Sequence, residues 1–82
     1  MRMIKRYTNR KLYDTEAKCY VTLEDLAELI CEGHDIQVHD NGTGDDWTAI
    51  TLTQILFDME KKQGGFLPKA VLTDLIKSGQ NR

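Results

Sequence analysis

The chain switches between two hydrophobic periods, and each switch marks an element. Residues 3–8 alternate: Ile4, Arg6 and Thr8 fall on one side, Met3, Lys5 and Tyr7 on the other. That is the period of a strand with one wet face. Lys11 to Asp14 is a second extended piece, followed by a turn at Thr15-Glu16-Ala17. Cys19-Tyr20-Val21 reads as the return partner, so a β-hairpin is expected here. The period then lengthens. Leu23, Leu26, Ala27 and Ile30 recur at i, i+3, i+4 and i+7, the apolar stripe of a helix. Thr22 is its expected cap, Glu24 and Asp25 suit its first turn, and Gly33 is its stop. Ile36 to Asp40 alternates again as a short strand, and Asn41-Gly42-Thr43-Gly44 is a turn. Asp46 to Ile50 reads as a strand or an irregular lead-in. Thr51 or Thr53 is the expected cap of a second helix carrying Leu52, Ile55, Leu56 and Met59, which Gln63-Gly64-Gly65 ends. Pro68 opens a third helix, where its missing N–H costs nothing. Leu67, Val71, Leu72, Leu75 and Ile76 line that helix, Gly79 ends it, and residues 78–82 fray.

These elements predict an α+β domain: a basic N-terminal β-hairpin, a short additional strand and three helices, in an oligomer. Residues 1–62 form the main domain. Residues 63–82 form a C-terminal helix joined to it by the Gly64-Gly65 pair. Eighty-two residues give a thin core. The five apolar groups on the last helix must either fold back on the domain or pack on a second copy. Self-association is the favoured reading, because small domains often remedy a thin core that way.

Charge changes the picture. The net charge of −2 hides a basic arm, an acidic middle and a mildly basic tail. Arg2 to Asp14 holds five Lys/Arg, whereas Cys19 to Glu60 holds none and has ten acidic residues. Phosphate attraction is set locally, since charges beyond about 10 Å are largely screened at ordinary salt. The asymmetry therefore points to an anionic partner at the arm. Lys5, Arg6, Arg10, Lys11 and Lys18 are the candidate phosphate or base contacts. Arg10 is the best candidate for guanine, because its fork can engage O6 and N7 together. Asn9 is either an adenine reader or a turn residue. Tyr7, Tyr13 and Tyr20 on adjacent strands form either a cross-strand cluster or a base-stacking platform, with the cluster favoured. Asp14 is expected to orient Arg6 or Arg10.

Other chemistries find little support. Cys19, Cys31, His34 and His39 lack the paired spacing of a zinc site. Asp35, Asp40, Asp45 and Asp46 lack the ligand spacing of a calcium loop, and read as a solvated edge. No nucleophile–base ordering, phosphate-cradling glycine loop or paired acid and base is present, so neither an enzyme nor a bound cofactor is expected. No apolar run approaches the roughly 20 residues of a membrane span, and no secretory signal opens the chain. This points to the cytoplasm, and in that reducing compartment Cys19 and Cys31, which could form at most one disulfide, are expected as free thiols.

The block Ile4-Lys5-Arg6-Tyr7-Thr8-Asn9-Arg10-Lys11-Leu12-Tyr13-Asp14-Thr15, followed by Tyr20-Val21-Thr22-Leu23-Glu24-Asp25-Leu26, resembles the N-terminal domain of the polyhydroxyalkanoate accumulation regulators, also called polyhydroxyalkanoate synthesis repressors. Thr43-Gly44-Asp45-Asp46 and Leu52-Thr53-Gln54-Ile55-Leu56 fit the same pattern, and the likeness spans about residues 2–60. The resemblance implies a bacterial, cytoplasmic, nucleoid- or granule-associated repressor of storage-granule genes. It implies double-stranded DNA as one partner and the polyester granule as another, with polymer binding releasing the DNA. It places DNA contacts on Lys5, Arg6, Tyr7, Asn9, Arg10, Lys11, Tyr13 and Lys18. Trp47, Phe57, Phe66 and Leu67 are then candidates for a polymer-binding or oligomer surface, against ordinary core. The chain has Thr8 where the family commonly has Pro, and Ala49 where a basic residue is frequent. The alternative functions are a granule-surface module and a protein-interaction domain without sequence-specific DNA binding.

Overall fold

The computed structural model describes residues 1–80; Asn81 and Arg82, part of the expected frayed end, lie outside them. The strands are β1 (Arg2–Arg6), β2 (Leu12–Asp14), β3 (Cys19–Val21) and β4 (Ile36–Asp40). The helices are α1 (Leu23–Cys31), α2 (Thr48–Gln63) and α3 (Lys69–Gln80). The strands form one mixed sheet in the order β3-β2-β1-β4, with β1 and β4 parallel and the other pairs antiparallel. The expected α+β class, with a basic hairpin, an extra strand and three helices, is therefore the fold.

Register decides which side chains meet. Ile4, Leu12, Ile36 and Val38 share one side of the sheet and are buried there with Leu26 of α1 and Ile55 of α2. Both helices thus lie on that side. Met3, Lys5, Tyr13, Tyr20, Gln37 and His39 stand on the other, where no helix covers them.

α1 begins where its sequence signals it. Thr22 Oγ1 accepts from the Asp25 N–H (3.1 Å), and Asp25 Oδ2 accepts from the Thr22 N–H (2.8 Å), a reciprocal capping box. α2 begins earlier than its threonines suggest. Asp46 Oδ1 accepts from the Thr48 N–H (2.8 Å), and Thr48 Oγ1 accepts from the Val38 N–H (2.9 Å), which fixes the first turn against β4. Thr51 and Thr53 are not caps. Their hydroxyls donate to the carbonyls of Trp47 (2.7 Å) and Ala49 (2.8 Å), one turn back inside the helix. Gly79 does not end α3, which continues through it to Gln80.

α3 does not fold back. Val71, Leu72, Leu75 and Ile76 are all exposed, Leu75 and Ile76 by 63% and 66%. The link to it is nevertheless defined. Gly64 and Gly65 take positive φ (71° and 63°), and Glu60 Oε1 accepts from the N–H groups of Phe66 (2.9 Å) and Leu67 (2.6 Å).

Candidate nucleic-acid interface

The first hairpin turns through Thr8, Asn9 and Arg10. The Tyr7 carbonyl accepts from the Arg10 N–H (2.9 Å), the Tyr7 N–H donates to the Lys11 carbonyl (2.9 Å), and Arg10 lies at φ 68°. This is a three-residue loop whose last residue takes the left-handed conformation usually given to glycine. Asn9 serves the turn: its Oδ1 accepts from the Lys11 N–H (3.1 Å). The second hairpin turns through residues 15–18 at the opposite end of β2, and Lys18 there also has a positive φ (57°).

The candidate cations therefore do not form one cluster. Arg10 and Lys11 sit at the first turn, Lys5 on the open side of the sheet, and Lys18 at the far turn. Arg6 faces the helices. Its guanidinium lies 4.0 Å from the Trp47 ring centroid and 3.7 Å from Asp40 Oδ2. It ties β4 and the start of α2 to β1, a role the sequence does not reveal because the residues are 34 and 41 positions away. Asp14 is likewise not the partner of Arg6 or Arg10. It is 2% exposed, its Oδ1 accepts from the N–H groups of Glu16 (2.9 Å) and Ala17 (3.1 Å), and its Oδ2 lies 3.6 Å from Arg2 Nε.

Charge is thus segregated by side. The carboxylates on the helix side of the strands, Asp14 and Asp40, are matched to Arg2 and Arg6. Lys5, Arg10, Lys11 and Lys18 have no ion-pair partner among the described residues. An acidic chain can in this way present an unneutralised cationic surface.

The tyrosines form a cluster on the open side rather than in the core. Tyr20 meets Tyr13 edge-on (centroids 5.4 Å, 78°) and Tyr7 more distantly (6.3 Å, 63°), and Lys11 Nζ lies 5.3 Å from the Tyr20 centroid. His39 flanks the same side, with Nε2 3.2 Å from Gln37 Oε1 and Nδ1 3.3 Å from the Gly44 carbonyl.

The four apolar candidates are also dispersed. Trp47 is half-buried under Arg6. Phe57 is exposed about 15 Å further along α2, at 1.5 Å per residue. It lines an open groove with Arg10, Leu12, Leu23 and Lys61. Phe66 is exposed and Leu67 half-buried in the turn before α3. Ile50, Leu52 and Leu56 are exposed on α2 as well. The signal for these was the spread of apolar residues around that helix instead of along one stripe.

The acidic loop spends its carboxylates on the backbone. Asp40 Oδ1 accepts from the N–H groups of Gly42 (2.8 Å) and Thr43 (2.9 Å). These bonds, Thr43 first, hold the Asp40 carboxyl below its ordinary 3.8, with Arg6 a smaller contributor. Thr48 does the same for Asp46. Among the described residues no group of three or more His, Cys, Asp or Glu is arranged to hold a metal. Because both carboxyls titrate lower in the fold than in the unfolded chain, their stabilisation is present above about pH 4 and lost as pH falls below it. Urea unfolding at pH 5 and pH 3 should show a lower midpoint at pH 3, and Asp40→Asn should shrink that drop. An unchanged drop would remove Asp40 from the account.

The fold is thus a mixed sheet with helices on one side and, among the described residues, cations without ion-pair partners at a hairpin. Residues 3–63 match the PHB/PHA accumulation regulator DNA-binding domain, and the chain belongs to that family. It is a family of DNA-binding regulatory domains. An uncharacterized protein of Allochromatium vinosum is 42% identical over 64 residues, which cover 78% of this chain and 40% of that protein. A protein of Thiocystis violacea described as an uncharacterized protein in the phbA 5' region is 34% identical over 76 residues, covering 93% of this chain and 55% of that protein. The chain thus spans about half the length of these relatives. No solved structure matches it. Among the described residues no helix is long and apolar enough to cross a membrane.

Proposed function

We propose that this chain is the DNA-binding part of a transcriptional repressor of polyhydroxyalkanoate storage genes. It reads duplex DNA with the first hairpin and is released by polymer. Arg10 and Lys11 at the turn enter the groove, Lys5 and the hydroxyls of Tyr7 and Tyr13 hold phosphate, and Lys18 contacts the backbone from the far turn. Arg6 positions this hairpin without touching DNA. A two-stranded ribbon is narrow enough for the major groove. Two copies joined through α3 would present two hairpins to a symmetric operator. The exposed apolar groups of α3 and Phe66 would adsorb to polyester. Polymer would then compete with the DNA-binding oligomer through its differential affinity for the two states.

The observation that supports this most is Arg10. An L-residue with φ 68° bears a backbone strain of about 1–2 kcal/mol that glycine would not. The strain is accounted for if the guanidinium has work outside the fold, and it has no partner inside it. Arg10→Gly therefore separates the two roles, since it fits the turn better and removes the fork. Fluorescence anisotropy with duplex DNA from upstream of a granule-protein gene, against scrambled duplex, is the test. The wild type should prefer the former, and Arg10→Gly should lose at least about tenfold in affinity while melting no earlier. Unchanged affinity would remove the hairpin turn as the reading head.

The exposed α3 surface favours one second reading, a granule-surface module with only electrostatic adhesion to DNA. Salt separates the two. Affinity for DNA falls steeply with salt, and apolar adsorption to polymer does not.

A further inference from the structure

The hairpin turn accounts for Arg10 but not for the row beside it. In register across the sheet stand Tyr20, Tyr13, Lys5 and His39, one from each strand. Tyr7 and Lys11 close over the Tyr20 end. Tyr20 is 60% exposed on the edge strand. Among the residues of β1, β2 and β3 that face the open side none is a carboxylate; Asp46 borders His39 beyond β4 and is turned to the Thr48 N–H.

From this we infer that the open side of β1–β3 is a docking surface for single-stranded RNA. Duplex DNA has no use for the ring cluster, because its bases are stacked on each other. An unpaired base offers a free π-face, and rings already held edge to face on a rigid sheet lose little entropy in accepting it. Lys5 and Lys11, unmatched by any carboxylate, lie where the phosphates of such a strand would run. The tyrosine hydroxyls on the same side supply partners for a ribose 2′-OH, which favours RNA over DNA single strands. A polyester would leave both lysines without an anion, so charge complementarity selects the nucleic acid. The inference goes beyond duplex reading: it shares Lys5, Lys11 and Tyr13 with that reading, and what sets it apart is Tyr20, which duplex reading does not use, in place of Arg10.

The test is fluorescence anisotropy at fixed salt with oligo(U) of about twelve nucleotides, within the site sizes of single-strand platforms. An abasic RNA of equal length and oligo(dT) serve as comparisons, and the proteins are the wild type, Tyr20→Phe and Tyr20→Leu. Oligo(U) should bind about tenfold more tightly than the abasic strand, and no more weakly than oligo(dT). Tyr20→Leu should lose about tenfold on oligo(U) and nothing on the abasic strand, while Tyr20→Phe keeps the affinity. Equal binding of oligo(U) and the abasic strand, or a Tyr20→Leu protein that binds oligo(U) normally, would overturn the inference. Tighter binding of oligo(dT) would assign the surface to DNA single strands instead. Polyester adsorption lost in Tyr20→Leu, with no binding of oligo(U), would assign it to polymer. A protein that binds oligo(U) in this base-dependent way but not duplex would count against the proposed operator binding alone.

Discussion

Asp14→Ala should destabilise the domain by about 3 kcal/mol. Two donors are bonded to this carboxylate, the N–H groups of Glu16 and Ala17, which shape the second turn. The Arg2 guanidinium stands beside it as an ion pair, with Nε at 3.6 Å, while its Nη1 faces Glu16 at 3.4 Å. Removing the carboxylate strands both turn donors and takes the buried anion from Arg2, which keeps only the exposed Glu16. Asp14→Asn keeps an acceptor for the turn and loses only the charge, so about half the effect is expected. A domain of this size holds roughly 4–12 kcal/mol in total, at the usual stability per residue. The alanine variant should therefore lose between about a quarter and three quarters of it. Urea denaturation followed by far-UV circular dichroism measures it. Equal losses for the two variants would mean that Arg2 and not the turn carries the effect.

Asp14 also shows where sequence reading stops. Local chemistry was legible. Thr22 and Asp25 are three residues apart and cap each other, and the alternation of Ile36 to Asp40 is a strand because its neighbours are in the same few residues. What pairs across the fold was not. The parallel pairing of β1 with β4 brings Ile4 beside Val38, and no period within either segment specifies that partner. Arg6 and Lys5 look alike in sequence. Only the alternation of strand sides, combined with the distant Asp40 and Trp47, shows that they stand on opposite sides of the sheet. Thr51 and Thr53 misled for a related reason. A threonine before an apolar stripe reads as a cap, but the true start was set by Asp46 and by Thr48 reaching across to Val38. The basic block was evident as composition, while its division into a turn, an open side and a far turn came from topology.

The double substitution Leu75→Glu, Ile76→Glu should convert a concentration-dependent dimer into a folded monomer, whose unfolding midpoint no longer changes with protein concentration. Both side chains are more than half exposed in one copy of the chain, so charging them disturbs little within it. The same cannot hold at an interface. Each side chain of this kind contributes about 1.5–3 kcal/mol on full burial, and a symmetric dimer buries both from each copy. Losing four such contributions is at least about 6 kcal/mol, a weakening on the order of ten-thousand-fold. The direction in which α3 points is set before any partner arrives. Gly64 and Gly65 turn the chain, and Glu60 fastens the N–H groups of Phe66 and Leu67 to the end of α2. A helix held this way presents Val71, Leu72, Leu75 and Ile76 as a fixed stripe, which lowers the ordering cost of association. Sedimentation velocity across a hundredfold concentration range is the measurement. A wild type that stays monomeric throughout would end the proposal, and so would a variant that associates as well as the wild type. If the dimer dissolves as expected, operator affinity should fall with it while the affinity of a single hairpin for a half-site stays the same. That pattern would make α3 the element through which polymer, by occupying the same apolar groups, reaches a hairpin it never touches.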